Sequence, residues 1–551
     1  MNSAIFAGKK EDQYCLSVSK HIVLNYFLRS NFPAQVRVTG AARVGRQENG
    51  GMKRKRYDRV GLTDHCEQRA LLPPGGATLV SLLDAPKAFI IDLLNKEKPG
   101  GKERRENIEK MVAAGVRMHS HFAGKGTAST ALCWYNEILK SLGLVEHSAT
   151  PFSTASACEA DDVCIQVLVN HRRRTNEGMK KNVQHVFGKL EDQLDDVGKA
   201  FLEDVEPWKP GIDDQDRAIR YLALRENFYA FNIFRDEAYC YQCKRQCKVD
   251  ASSSEVQGGH DDAFICFEGG SQCVDFAAYG HRKGMLGSTA PSFYIFIAKI
   301  RTCLPDFFVH EITEVGTDGI MAAEIGDLYG IIEGVICASD NGKPMKRPRR
   351  FTYGWRLGRV KFSGSFSEFM HYFQKSMSAT ASCFFVMEQE RQVELLRRAA
   401  RNGHHTDDAS SLIMENLFLP ATLKNLQEHM NLQPMRQGND GSYFIDAEQT
   451  PKFCAGGPTL PTLVRHGTII DVNTKKILTP SEHLLAMGEP CADEVQGELP
   501  CYIKEAIADI SGMQKKRIAG NAVDLGTLAP FLFYCLAHSA RVCKGSSSNR
   551  A

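Results

Sequence analysis

The chain has 551 residues, 43% of them hydrophobic and 24% charged, a composition that suits two or more packed domains and excludes a disordered or fibrous protein. With 68 basic and 65 acidic residues the formal charge is +3, so no global field marks a polyanionic partner and any nucleic-acid surface must be local. No apolar run reaches the roughly 18 residues of a membrane span, the first ten residues lack a leader pattern, and 18 scattered cysteines fit reduced thiols better than a disulfide framework; the expectation is a soluble intracellular protein with no membrane partner.

Residues 1–110 are mixed and show no catalytic pattern. Their basic cluster, Lys53-Arg54-Lys55-Arg56, reads as solvated charge, with an import signal or a phosphate contact as alternatives. From Val116 to Phe122 apolar and polar residues alternate, predicting a strand that runs into Ala123-Gly124-Lys125-Gly126-Thr127 and a helix from Thr130 to Leu142. Strand, glycine turn and helix suit close approach of a ligand to backbone N–H groups, and a plain βα turn accounts for the same residues. The next unit, Phe152 to Ala160, ends in Cys158-Glu159-Ala160-Asp161 before a helix. An acid at that strand tip can hold a ribose hydroxyl, and Asp161 can cap the helix. A third strand, Val183 to Gly188, precedes a helix over Leu190 to Leu202. Three such units predict an α/β fold with a doubly wound, mostly parallel sheet.

A helix is predicted from Asp214 to about Tyr239, ending in Cys240-x2-Cys243-x3-Cys247. Zinc comes to mind, but no second paired half follows at zinc-finger spacing, and no metal is assigned. Next, the apolar run Ala263 to Phe267 enters Gly269-Gly270-Ser271-Gln272-Cys273, and the loop continues through Arg282-Lys283-Gly284. A cysteine there, near cations and backbone N–H groups, could serve as a thiolate nucleophile; a small buried hydrophobe is the plainer alternative. A helix over Ser292 to Cys303 leads to a strand, Pro305 to Ile312, with Glu311 near its carboxyl end. Paired strands at Tyr329 to Ala338 and Arg350 to Leu357 are joined by a stretch rich in cations, among them Lys346, Arg347 and Arg349. Such a tip faces solvent or clamps a phosphate. From Lys361 to Gly456 helical stretches form a separate module. Beyond it, Thr479, Pro480 and Glu482 cap a helix, and Gly520-Asn521-Ala522-Val523 precedes an apolar helix from Leu525 to Ala540.

Taken in order, these segments resemble the C5 cytosine-specific DNA methyltransferases over about 400 residues. Phe122-Ala123-Gly124-Lys125-Gly126 is similar to that family's first S-adenosylmethionine loop, Glu159 to its ribose-binding acid, and Gly269 to Gly284 to its nucleophile loop. His310-Glu311-Ile312 matches the Glu-Asn-Val element at its glutamate, Arg347 and Arg349 match Gln-x-Arg-x-Arg, Leu478 to Gly488 match the Leu-Thr-x-x-Glu helix, and Gly520 to Val523 match Gly-Asn-Ala-Val. Departures cluster around the chemistry. Gln272 and Val274 flank the cysteine where the family has proline and glutamine, Ile312 replaces an asparagine and Met345 a glutamine, and Gly188-Lys189 stands where Gly-Asp is usual.

The resemblance implies a Rossmann-like catalytic domain over 111–360 and 457–551, a target-recognition module over 361–456, and an N-terminal extension over 1–110. It implies S-adenosyl-L-methionine held by Phe122, Ala123, Gly124, Gly126, Thr127, Glu159, Gln272, Asn521 and Val523. Cys273 would attack cytosine C6, Glu311 would bind the N3 edge, Arg349 would stabilise charge near the base carbonyl and Arg347 would hold the loop. Arg282, Lys283 and Lys346 would contact nucleic-acid phosphates. DNA is the implied partner and the nucleus, or another DNA-containing compartment, the implied location; an RNA substrate and a catalytically silent scaffold are the alternatives.

Overall fold

The computed structural model describes residues 72–175, 178–205, 211–249, 263–271, 275–276, 283–314, 317–438, 441–454, 456–495 and 497–542. Its strands are β1 (Val116–His121), β2 (Phe152–Cys158), β3 (Arg172–Thr175), β4 (Gly178–Lys181), β5 (Val183–Phe187), β6 (Glu237–Cys240), β7 (Arg245–Lys248), β8 (Phe264–Gly270), β9 (Phe307–Thr313), β10 (Tyr329–Ile336) and β11 (Arg349–Arg356), followed by shorter strands in small sheets. One nine-stranded sheet has the order β10-β11-β9-β8-β1-β2-β5-β6-β7. The five central strands, β9-β8-β1-β2-β5, are mutually parallel. At one side β11 is reversed between β9 and β10; at the other, the antiparallel β6–β7 hairpin extends β5. This is the doubly wound, mostly parallel, Rossmann-like sheet expected from the strand–helix alternation.

The central strands are long apolar runs because both faces are covered. Along β8, Phe264 and Cys266 enter one apolar cluster with Trp134, Tyr135 and Leu532, while Ile265 and Phe267 enter another with Tyr221, Phe293 and Ile297. Successive side chains leave a strand on opposite faces, so the sheet lies between two helical layers. The first contains helices Thr127–Ser141 and Leu525–Ala537, joined by Ala85–Leu93 and Gly101–Ala114; the second contains Asp214–Ala230 and Ala290–Cys303. Residues 512–537 are long and apolar enough to cross a membrane by length and composition alone, yet the apolar stretch is 78% buried within the fold.

The helix expected to reach Tyr239 stops at Ala230. Beyond it the spacing changes to two: Ala238 and Cys240 are buried, and Glu237 and Tyr239 are exposed. That pattern buries a strand face against Phe187 and Val249 and wins over helix propensity.

A satellite core unites Ala399, Leu417 and Leu426 with Tyr443, Ile445, Ile470 and Ile477. Phe369 and Phe373, on helix Phe366–Phe373, pack in the main core. The satellite is bolted to the main domain by Arg391, whose two Nη atoms donate to the Glu482 carboxylate at 3.0 and 2.9 Å, both side chains buried. Glu482 also completes the expected capping box, accepting from Thr479 N at 2.7 Å.

Candidate active site

Strand order reverses between β1 and β8, and doubly wound sheets bind ligands in the crevice outside the carboxyl ends at such a point. Register sets His121 beside Cys158 on one side and Gly269 on the other, and sets Gly270 beside Glu311. The segments following β1, β2, β8 and β9 therefore meet at one edge.

After β1 the chain turns sharply through left-handed conformations at Phe122 (φ 58°), Gly124 (54°) and Gly126 (88°). Glycine takes these angles without strain; Phe122, which has a Cβ, is held by edge-on packing against Phe296 at 6.1 Å between ring centroids. Ala123 N donates to Cys158 O at 3.0 Å, tying the loop to β2. A Cβ placed on Gly124 would meet no described atom within 4 Å. The helix beginning at Thr127 has no side-chain cap, so its first N–H groups suit an external acceptor.

Glu159 completes this loop. One carboxylate oxygen accepts from Gly124 N at 2.7 Å, the other from Ala160 N at 2.8 Å and Asp161 N at 2.9 Å. A carboxylate offers about four acceptor positions, which leaves room for one more donor. Burial raises the Glu159 pKa and the three N–H groups oppose it. Beneath the loop, the buried Lys125 forms an ion pair with the buried Glu489 and donates to Thr127 Oγ1 at 3.1 Å.

At the tip of β8 two glycines serve different ends. A Cβ on Gly269 would lie 2.9 Å from the Phe296 ring, whereas one on Gly270 would lie 3.4 Å from Glu311 Oε2 and 3.9 Å from Val523 Cγ2. Gly269 thus permits packing, and Gly270 lies directly against the Glu311 carboxylate. Burial raises the Glu311 pKa, opposed by Arg349 and then by Arg347. Arg349 Nε is 3.0 Å from Glu311 Oε1, and its Nη1 donates to Pro348 O at 2.7 Å. Just before the glycines, buried Glu268 accepts a hydrogen bond from Ser120 Oγ; burial pushes its pKa up to about 8 against that bond, with Glu311 and Glu159 adding to the rise.

Two anchored residues flank Gln272-Cys273-Val274 in the chain. Ser271 Oγ pairs with His310 Nε2 at 2.9 Å, and the buried Asp275 accepts from Thr289 N and Oγ1, each at 2.8 Å. Gln272, Cys273, Val274 and Arg282 lie outside the described residues. Arg347 donates to Leu463 O at 3.1 Å, Gly520 O at 3.1 Å and Ala522 O at 2.6 Å, fastening the Gly-Asn-Ala-Val segment to the hairpin. Asn521 is exposed, with Oδ1 accepting from Arg465 Nε at 2.6 Å. Lys283 and Lys346 are exposed.

The fold thus gathers Phe122 to Thr127, Glu159, Glu311, Arg349 and Val523 at one edge. Three residues at this edge were given no role from the sequence. Lys125 and Glu268 are buried charges in otherwise apolar or glycine-rich surroundings, which was the available signal. The third is Asp192: where Lys189 is exposed, a Cβ on Gly188 would lie 2.6 Å from Asp192 Oδ2 and 3.6 Å from Tyr241 Cε2, so an acid and an aromatic ring flank the turn after β5.

No protein-family model matches the chain, and no curated protein matches it. Among solved structures, it is similar to the S. pombe Dnmt2 methyltransferase (10% identity, TM-score 0.37, 76% of this chain and 98% of that one). It is also similar to the Entamoeba histolytica methyltransferase EhMeth (11%, 0.34, 76% and 98%) and to a Spodoptera frugiperda DNMT2 variant (12%, 0.32, 77% and 99%). With TM-scores below 0.5, the fold assignment rests on the strand order above.

Proposed function

We propose that the chain is an S-adenosylmethionine-dependent methyltransferase acting on cytosine C5 in DNA, with Cys273 as its nucleophile. The observation that carries this reading is the meeting of Gly270, Glu311, Arg349 and Val523 at the carboxyl edge of β8 and β9, beside the turn after β1. The open space at Gly124, the uncapped helix start and the remaining acceptor position of Glu159 fit the cofactor's carboxylate and ribose hydroxyls. Phe122 to Thr127, Glu159 and Val523 would hold it, and Asp192 with Tyr241 would face its adenine end. Bound there, it supplies an electrophilic methyl group.

The protein's part is covalent and electrostatic. The Cys273 thiolate bonds to C6 of a flipped-out cytosine, and the C5–C6 π pair becomes available at C5. Glu311, whose pKa burial raises against the pull of Arg349 and Arg347, would supply a proton to the N3 edge as charge develops there. Arg349 supports the base carbonyl, and Arg347 holds the loops that carry these groups. With C5 having taken the cofactor's methyl group, loss of the C5 proton to a base would expel the thiolate from C6 and restore the ring as 5-methylcytosine. Lys283 and Lys346, with Arg282, would contact phosphates; the satellite core would read the target.

The test uses the full chain, labelled-methyl S-adenosylmethionine, and duplex DNA or tRNA, with nucleosides resolved by mass spectrometry. Label in 5-methylcytosine from DNA is expected. Label from RNA alone moves the substrate. Label in neither, from folded protein that binds the cofactor, removes the activity.

A further inference from the structure

We propose that His185, Cys240, Cys243 and Cys247 form a closed structural zinc site at the β5–β6–β7 edge of the sheet. The three cysteines suggested zinc from spacing alone, but a fourth ligand was missing. The fold supplies it from 55 residues upstream: His185 on β5 lies where the hairpin crosses, with Phe187 paired to Cys240. The three Sγ atoms and a ring nitrogen of His185 all lie within 4.8 Å of one another. His185 Nδ1 is 3.7 Å from Cys240 Sγ and 3.5 Å from Cys243 Sγ.

Those separations have a meaning. With Zn–S near 2.3 Å and Zn–N near 2.0–2.1 Å, the edges of a tetrahedron are about 3.6–3.8 Å, so the measured pairs already stand at ligand-to-ligand distance. All three cysteines are free thiols, so none is taken up in a disulfide. The intervening turn is built for ligation. Cys243 N approaches Cys240 Sγ at 3.4 Å, as an N–H that neutralises thiolate charge would. Lys244 N donates to Cys240 O at 2.7 Å, and Lys244 takes φ 56°. A residue with a Cβ adopts that conformation at a cost, so the turn is held tight by something beyond local preference. Cys240 and Cys247 are buried and His185 and Cys243 half-buried, which closes the site rather than leaving it an open position for substrate.

The ligand set, three sulfurs and one imidazole, selects zinc over magnesium or calcium. Binding releases the three thiol protons to solvent and leaves a net charge of −1, with Lys244, Arg245 and Lys248 in the same hairpin. The consequence reaches the candidate active site, because the clamp fixes Tyr241, inside the Cys240–Cys243 turn, against Gly188. The site itself does not depend on the methyltransferase reading.

The full chain, purified with a non-thiol reductant and passed through metal-free gel filtration, is expected to retain one zinc per chain by elemental mass spectrometry. Apoprotein titrated with Co(II) should show a thiolate charge-transfer band in the near ultraviolet and intense visible bands of a tetrahedral site. Cys243→Ser should lower the charge-transfer band by about one third, and His185→Ala should shift the visible bands while sparing it. A folded wild-type chain that retains no zinc and gives only weak, octahedral cobalt bands overturns the proposal. So does a native Cys240–Cys243 disulfide, or cobalt bands unchanged by both substitutions, which would place the metal on other cysteines. The wild-type measurements decide even if a variant misfolds.

Discussion

Replacing Glu268 by Gln tests the electrostatics of the β8 tip directly. Glu268 is 5% exposed, and burial moves its pKa from an ordinary 4.5 to about 8. Between those values the folded chain holds a proton that the unfolded chain has released, so stability falls as pH rises, by about 1.36 kcal/mol per unit. From pH 5 to pH 7.5 the loss from this one group is about 3 kcal/mol, and it levels off above pH 8. Gln cannot ionise and keeps an oxygen for Ser120 Oγ, so the variant escapes this loss. Urea unfolding followed by circular dichroism at half-unit pH steps should show the two proteins near equal stability at pH 5, with Glu268→Gln more stable by about 3 kcal/mol at pH 7.5. The difference between the curves cancels the other titrating groups. Parallel curves across that range would mean that Glu268 is ionised in the fold, and the reasoning would fail.

Two further outcomes follow from the loop after β1. Lys125→Met leaves Glu489 buried and unpaired and should cost about 3–5 kcal/mol in the same unfolding assay, whereas Lys125→Met combined with Glu489→Leu should recover most of the loss. Gly126→Ala should destabilise by roughly 1–2 kcal/mol and weaken S-adenosylmethionine binding in calorimetry, since φ is +88° and the new Cβ would lie 3.0 Å from Leu168 Cδ2. Unchanged affinity there would separate the loop from the cofactor.

The sheet was legible because its information is local. Unbroken short apolar runs such as Phe264 to Phe267 and Phe307 to Val309 suit strands buried on both faces, and the intervening helices favour parallel crossovers. Glu159 and Glu311 stood out in the sequence as acids near the carboxyl ends of predicted strands, and Arg349 as one of a run of cations that matches a family element. What escaped was long-range. Lys125 and Glu489 are 364 residues apart, and neither has meaning without the other. His185 reads as one polar residue in a strand until the hairpin folds across it. Asp192 became visible only when the turn after β5 brought its carboxylate to Gly188. The end of the helix at Ala230 was missed because the stretch to Tyr239 carries no glycine or proline stop signal, and only the packing of Ala238 and Cys240 on Phe187 decides for a strand.

The central claim is that Cys273 attacks cytosine C6, and covalent trapping tests it most directly. Duplex DNA carrying 5-fluorocytosine blocks loss of the C5 substituent, so in the presence of S-adenosylmethionine the chain should form a stable protein–DNA adduct, mapped by peptide mass spectrometry to Cys273 and absent in Cys273→Ala. Folded, cofactor-binding protein that forms no adduct with DNA or RNA, or an adduct that survives Cys273→Ala, would contradict the account.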